Sequence, residues 1–165
     1  MGIIYNADEI YEIALHIEEN GKKFYDAAAE KVPEENVRKL LLELSSWELR
    51  HIDLFKDLRK GLKDKLGIET SFDADDLAAS YITALADSHV FVQNFDLSVL
   101  IDRCKSGREV LETALRFEKD SVIYYAAVKD LVPAHLGRDD VSKIELEEIR
   151  HVSFIYKQLR TFSVE

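Results

Sequence analysis

Glu48-Leu49-Arg50-His51 and Glu148-Ile149-Arg150-His151 are the two stretches that decide how this chain folds. They stand 100 positions apart, and the same offset relates Ala14-Leu15 and Glu18 to Ala114-Leu115 and Glu118. Between those anchors Tyr25 matches Tyr125, Ala27 matches Ala127, and Val32-Pro33 matches Val132-Pro133. A Glu-x-x-His unit puts both side chains on one face of an α-helix, because residues three apart are neighbours on its surface. Two such units, each preceded by a Glu on another helix, supply the six ligands with which a helical bundle holds a pair of metal ions. A lone Glu-x-x-His on a charged helix is ordinarily a solvated face. Here the neighbours are apolar: Leu44, Trp47 and Phe55 share the face of His51, and Ile144 and Ile155 that of His151. The expected ligands are therefore Glu18, Glu48, His51, Glu118, Glu148 and His151.

Charge sets the number of ions. Four carboxylates balance two divalent cations, whereas a single ion leaves net negative charge in a dry core, which is costly. Oxygen-rich ligation with two imidazoles and no thiolate suits iron or manganese better than structural zinc. Tyr25 and Tyr125 follow Glu18 and Glu118 by two helical turns and so share their inner face. Their hydroxyls are placed to hydrogen-bond the Glu48 or Glu148 carboxylates and assist the chemistry. Glu12 and Glu112 lie well round the helix from the ligands and read as structural, and Arg50 and Arg150 read as partners of surface acids. His16, His89 and His135 have no matched counterpart and read as ordinary surface or packing residues.

Bulk properties exclude several classes. Two Pro and six Gly among 165 residues favour helix over sheet, and the length suits one domain, residues 1–165. A net charge of −10 argues against nucleic acid as a partner. The single Cys104 forms no internal disulfide and no Cys-rich metal site; it reads as a small buried apolar residue. The N-terminus lacks the basic and apolar regions of a signal peptide, and no apolar run reaches the ~20 residues of a membrane span, so a cytoplasmic protein with no membrane partner is expected.

Periodicity and end signals predict helices over about 7–31, 33–65, 73–89, 107–131 and 139–162. Asn6 with Glu9 caps the first, Pro33 opens the second, Ser106 with Glu109 caps the fourth, and Asp139 or Asp140 starts the last. Short links within each pair make two antiparallel hairpins, and the long segment from about 62 to 106, containing the extra helix, crosses the bundle. The expected fold is all-α, a ferritin-like four-helix bundle with one crossover. Phe72, Tyr81, Phe91 and Phe95 make the crossover aromatic enough to predict a homodimer surface.

The segments Ala14 to Tyr25 and Glu48 to Phe55 resemble the first two helices of the rubrerythrin-type ferritin-like di-iron proteins, and Ala114 to Tyr125 and Glu147 to Ile155 repeat them more loosely. The resemblance implies a di-iron centre that reduces hydrogen peroxide or reacts with dioxygen. It carries the six ligands above and the tyrosines at 25 and 125 onto the family's site. Full-length rubrerythrins add a rubredoxin domain with paired Cys-x-x-Cys; with one Cys here, electrons are expected from a separate protein such as a rubredoxin. Typical rubrerythrins also carry an extra Glu one turn from the third-helix ligand, where this chain has Leu115 and Ser121. That leaves a symmetric six-ligand arrangement like that of bacterioferritin, although the only Met is Met1 and the haem-binding Met of bacterioferritin is missing. Iron oxidation and storage, and a non-catalytic metal-binding bundle, remain as alternatives.

Overall fold

The structure is a computed structural model that describes residues 4–64, 71–73, 84 and 97–162. Helix α1, Ala7–Lys31, starts directly after Asn6 with Asp8 and Glu9 in its first turn, where acidic groups complement the helix dipole. Its buried stripe runs through Ile10, Ala14, Ile17, Phe24 and Ala28. Helix α2 spans Glu35–Asp64, two residues later than Pro33 would start it. The Arg38 backbone N–H makes the first helical bond, to the Glu34 carbonyl at 2.9 Å, and its guanidinium donates to the Ala29 and Val32 carbonyls at 3.3 and 3.0 Å. The turn is thus closed on the end of α1, and the helical ladder begins from Glu34.

A short helix α3, Leu97–Arg103, precedes α4, Gly107–Leu131. Ser106 caps α4 as expected, its hydroxyl accepting the Glu109 N–H at 3.3 Å, while the Glu109 carboxylate takes the Lys105 N–H at 2.9 Å. A single 3-10 turn, Ala134–Leu136, leads into α5, Arg138–Thr161. Neither Asp139 nor Asp140 caps α5. Gly137 does so with φ of 119°, a left-handed conformation that favours glycine, and its carbonyl accepts the Asp140 and Val141 N–H groups. A Cβ there would also sit 2.6 Å from the Tyr11 hydroxyl.

Helix α1 packs chiefly on α2 and α4 chiefly on α5, giving the two hairpins of the bundle. Tyr11 and Tyr124 tie the hairpins together by donating to the Leu136 and Ile10 carbonyls at 2.6 and 3.2 Å. Two short antiparallel strands were not foreseen: β1, Ile4–Asn6, pairs with β2, Ser71–Asp73. The helix expected over 73–89 lies outside the described residues except for Asp73, which is in β2, and Ala84. Of the aromatic residues expected to form a dimer surface, Phe72 is in β2 and Tyr81, Phe91 and Phe95 lie outside the described residues. Among the described residues no helix is long and apolar enough to cross a membrane.

Candidate metal centre

All six residues singled out by the repeat converge at mid-bundle. Glu18, Glu48, His51 and Glu148 form one group whose ligand atoms lie within 4.8 Å of one another, and Glu48, Glu118, Glu148 and His151 form a second. Glu48 and Glu148 belong to both groups, so the two share an edge. Each of the six is at most 4 % exposed, which makes this a polar cluster inside an apolar shell. Both imidazoles turn Nδ1 inward. His51 Nδ1 lies 3.1 Å from Glu18, 3.6 Å from Glu48 and 3.0 Å from Glu148. His151 Nδ1 lies 3.3 Å from Glu118, 3.3 Å from Glu148 and 3.7 Å from Glu48.

Tyr25 and Tyr125 reach the cluster, but through different carboxylates from those expected. Tyr25 donates to Glu118 and Tyr125 to Glu18, not to Glu48 or Glu148. The reversed order of the two pairs means that α1 and α4 run antiparallel, so a residue two turns beyond the Glu of one helix is level with the Glu of the other. The matched position midway along each helix holds a small buried residue, Gly21 in α1 and Ser121 in α4. The face of each tyrosine was legible in the chain; the helix opposite it was not.

Burial drives the electrostatics. It raises Glu48 well above the usual carboxylate range, aided by the charges of Glu18 and Glu148. Burial and Glu148 push Glu118 up to about 8. Burial opposes charge on His151, yet hydrogen bonds and charge from Glu118 and Glu148 outweigh it and push this imidazole up to about 10. His51 is likewise raised despite burial, by Glu18, Glu148 and Glu48. Glu148 goes the other way: burial is overcome by its interactions with Glu118 and both imidazoles, which hold it low. Burial and the neighbouring carboxylates raise both tyrosines and keep them protonated. Without metal, protons therefore hold the carboxylates together.

One atom departs from that pattern. Glu148 Oε1 is buried with no hydrogen bond of acceptable geometry; its ion-pair contact with His51 Nδ1 spans 3.0 Å. Once His51 Nδ1 gives up its proton, this buried oxygen at the shared edge of two ligand groups would need a cation to satisfy it. The donor set fits a pair of divalent ions: four carboxylates, two inward imidazole nitrogens and no thiolate.

Two residues near the cluster were not identified from the chain as parts of the site. Glu147 Oε2 lies 2.9 Å from His51 Nε2, and the Trp47 indole stacks on His151 at 4.9 Å with 10° between planes. Glu147 carries no signal of its own in the chain; only its distance from His51 on another helix reveals it. With Arg50, Arg150, His151 and Phe154 these two line an open pocket of about 260 Å³ over the His151 side of the cluster. Among the readings that assigned no role in chemistry, Glu12 and Glu112 form ion pairs with Arg59 and Arg108, and His16 and His135 are exposed. Leu115 is half-buried and Ser121 buried, with no carboxylate at either position.

The sequence profile of the Rubrerythrin family matches residues 9–86, just under half of the chain. No curated protein matches it. Among solved structures, a Thermotoga maritima protein described provisionally as a ferritin-like diiron-carboxylate protein is similar, at 23% identity and a TM-score of 0.70, covering 94% of this chain and 95% of that one. The chain is thus similar in sequence to rubrerythrins over residues 9–86, and its described helices form a ferritin-like bundle.

Proposed function

We propose that this protein is a di-iron oxidoreductase of the rubrerythrin type, which reduces hydrogen peroxide, or dioxygen, with electrons from a separate donor. The observation that carries the reading is the buried pair of ligand groups sharing Glu48 and Glu148. The family match over residues 9–86 and the diiron-carboxylate description of the similar fold favour iron, with manganese as the alternative ion. The metals, when bound, would supply the two electrons and polarise the O–O bond.

The chain's own groups have three tasks. Glu18 and His51 would hold one ion, Glu118 and His151 the other, and Glu48 and Glu148 would bridge them. Tyr25 and Tyr125 keep their protons and donate hydrogen bonds to Glu118 and Glu18, which fixes those carboxylates. The packed interior, with Phe24, Phe55 and Phe117 close by, limits water, while the pocket over His151 suits an oxidant of a few atoms. Reducing hydrogen peroxide to two waters also consumes two protons, which would come from solvent. One cysteine in 165 residues gives this bundle no thiolate iron site of its own, so electrons would arrive from another protein or domain, a rubredoxin being the natural candidate.

The test is anaerobic loading with ferrous iron followed by peroxide or dioxygen in stopped flow, with oxidation state read by Mössbauer spectroscopy. Rapid two-electron oxidation with peroxide consumed stoichiometrically supports the proposal. Bound iron that stays ferrous with both oxidants would leave a non-catalytic binding bundle. The absence of a carboxylate at Leu115 and Ser121 favours a second reading, iron oxidation for storage. A closed multi-subunit shell in solution would support storage, whereas a homodimer would exclude it.

A further inference from the structure

Positions 47 and 147 are equivalent in the 100-residue repeat, yet one is Trp and the other Glu. Each reaches across the seam between α2 and α5 to the imidazole of the opposite helix. Glu147 Oε2 is 2.9 Å from His51 Nε2, while the Trp47 ring lies flat on His151. Both imidazoles direct Nδ1 into the cluster, so Nε2 is the outer nitrogen in each. When Nδ1 is given to a cation, Nε2 must carry the hydrogen, and His51 then donates it to a carboxylate. An acceptor of that kind fixes the ring and makes it a stronger donor to metal. The indole face beside His151 offers packing and no such acceptor. A two-fold related ligand set is therefore backed by two chemically different supports.

We propose that Glu147 is a positioning residue that makes the two metal positions unequal, so that the ion on the Glu18–His51 side binds first and more tightly than the ion on the Glu118–His151 side. This inference rests on the two-metal reading of the cluster. Glu147 stands at the rim of the pocket with its side chain 36% exposed, whereas His51 is 3% exposed. Removing the carboxylate would therefore alter a buried donor from a site that tolerates substitution.

The test uses metal-free protein and Zn²⁺, a redox-silent probe, in calorimetric titration against a competing chelator. The unmodified protein should show two resolved steps. Glu147→Gln, which replaces the charged acceptor by a neutral one, should weaken the first step by about 10–100-fold, the usual cost of altering an outer partner of a ligand, and move the second little. Glu147→Asp should recover part of the loss. Trp47 is the sole Trp of the chain and lies on His151, so its emission gives a site-resolved readout. In the unmodified protein it should change chiefly with the second equivalent, and in Glu147→Gln the change should move toward the first. Two equal steps, a Trp47 response confined to the first equivalent, or a variant that weakens both steps together would overturn the proposal while leaving two-metal binding intact. A protein that takes up no Zn²⁺ would overturn both.

Discussion

The two hairpins of this bundle match in their six central acids and imidazoles and differ in part of what surrounds them. Arg38 and Arg138, also 100 positions apart, both close their inter-helix turn by donating to the carbonyls of Val32 and Val132, at 3.0 and 2.8 Å. Tyr25 and Tyr125 each cross to the other hairpin's Glu. Away from the centre, the first turn runs through Pro33 and Glu34, whereas the second uses a 3-10 turn and a left-handed Gly137. At the rim, Trp47 stands where Glu147 would by symmetry. A pseudo-symmetric ligand set therefore coexists with asymmetric support. The placement of the six side chains and the support behind them are separable features of the same repeat.

Breaking the shared edge should have the largest effect. Glu48 and Glu148 each belong to both ligand groups, while Glu18 and Glu118 belong to one each. Glu148→Ala should abolish stable uptake of both ions, whereas Glu18→Ala should leave one, as read by elemental analysis after desalting. Equal losses in the two variants would mean that the hairpins do not hold separate positions.

Tyr25→Phe and Tyr125→Phe each remove the hydrogen from a buried carboxylate oxygen, and each should cost about 1–3 kcal/mol in urea unfolding of the metal-free protein. Near-equal costs would extend the symmetry to the tyrosines. The turns should differ: Gly137→Ala meets both a positive φ and the Tyr11 hydroxyl, and should cost about 1–3 kcal/mol.

Raising the pH should destabilise the metal-free bundle. Glu118 is raised from 4.5 to about 8 and His151 from 6.5 to about 10. Both hold protons in the folded state that the unfolded chain has released, so rising pH favours unfolding. The Glu118 contribution is complete below 4.5 and lost through about 8; that of His151 is complete below 6.5 and lost through about 10. Metal binding displaces the same protons, so affinity should rise with pH. Thermal melts of metal-free protein across this range, with calorimetry in buffers of different ionisation enthalpy, measure both slopes. The smallest effects belong to the turn caps: Arg38→Ala and Arg138→Ala should each cost about 1 kcal/mol, measurable as small and similar shifts in Tm.

Much of this was legible in the chain because helical period and ligand spacing are local. The Ser106–Glu109 cap needs only neighbouring residues, and the six acids and imidazoles announce themselves by recurring in register. Helix α2 starts two residues later than Pro33 would start it, and Arg38 ties the turn back to the Ala29 and Val32 carbonyls. Strand β1 pairs with residues more than 60 positions away, and its three-residue length gives no period to detect.

By itself the sequence determined the all-helical hairpins and the six groups that would face one another, because side-chain direction on a helix follows from residue number. Only the tertiary structure decided which helix opposes which face, and hence that Tyr25 meets Glu118, that Trp47 covers His151 and that Glu147 meets His51. Those pairings depend on how far α1, α2, α4 and α5 slide past one another as the core closes. That offset is set by packing of the whole bundle and by no single stretch of chain.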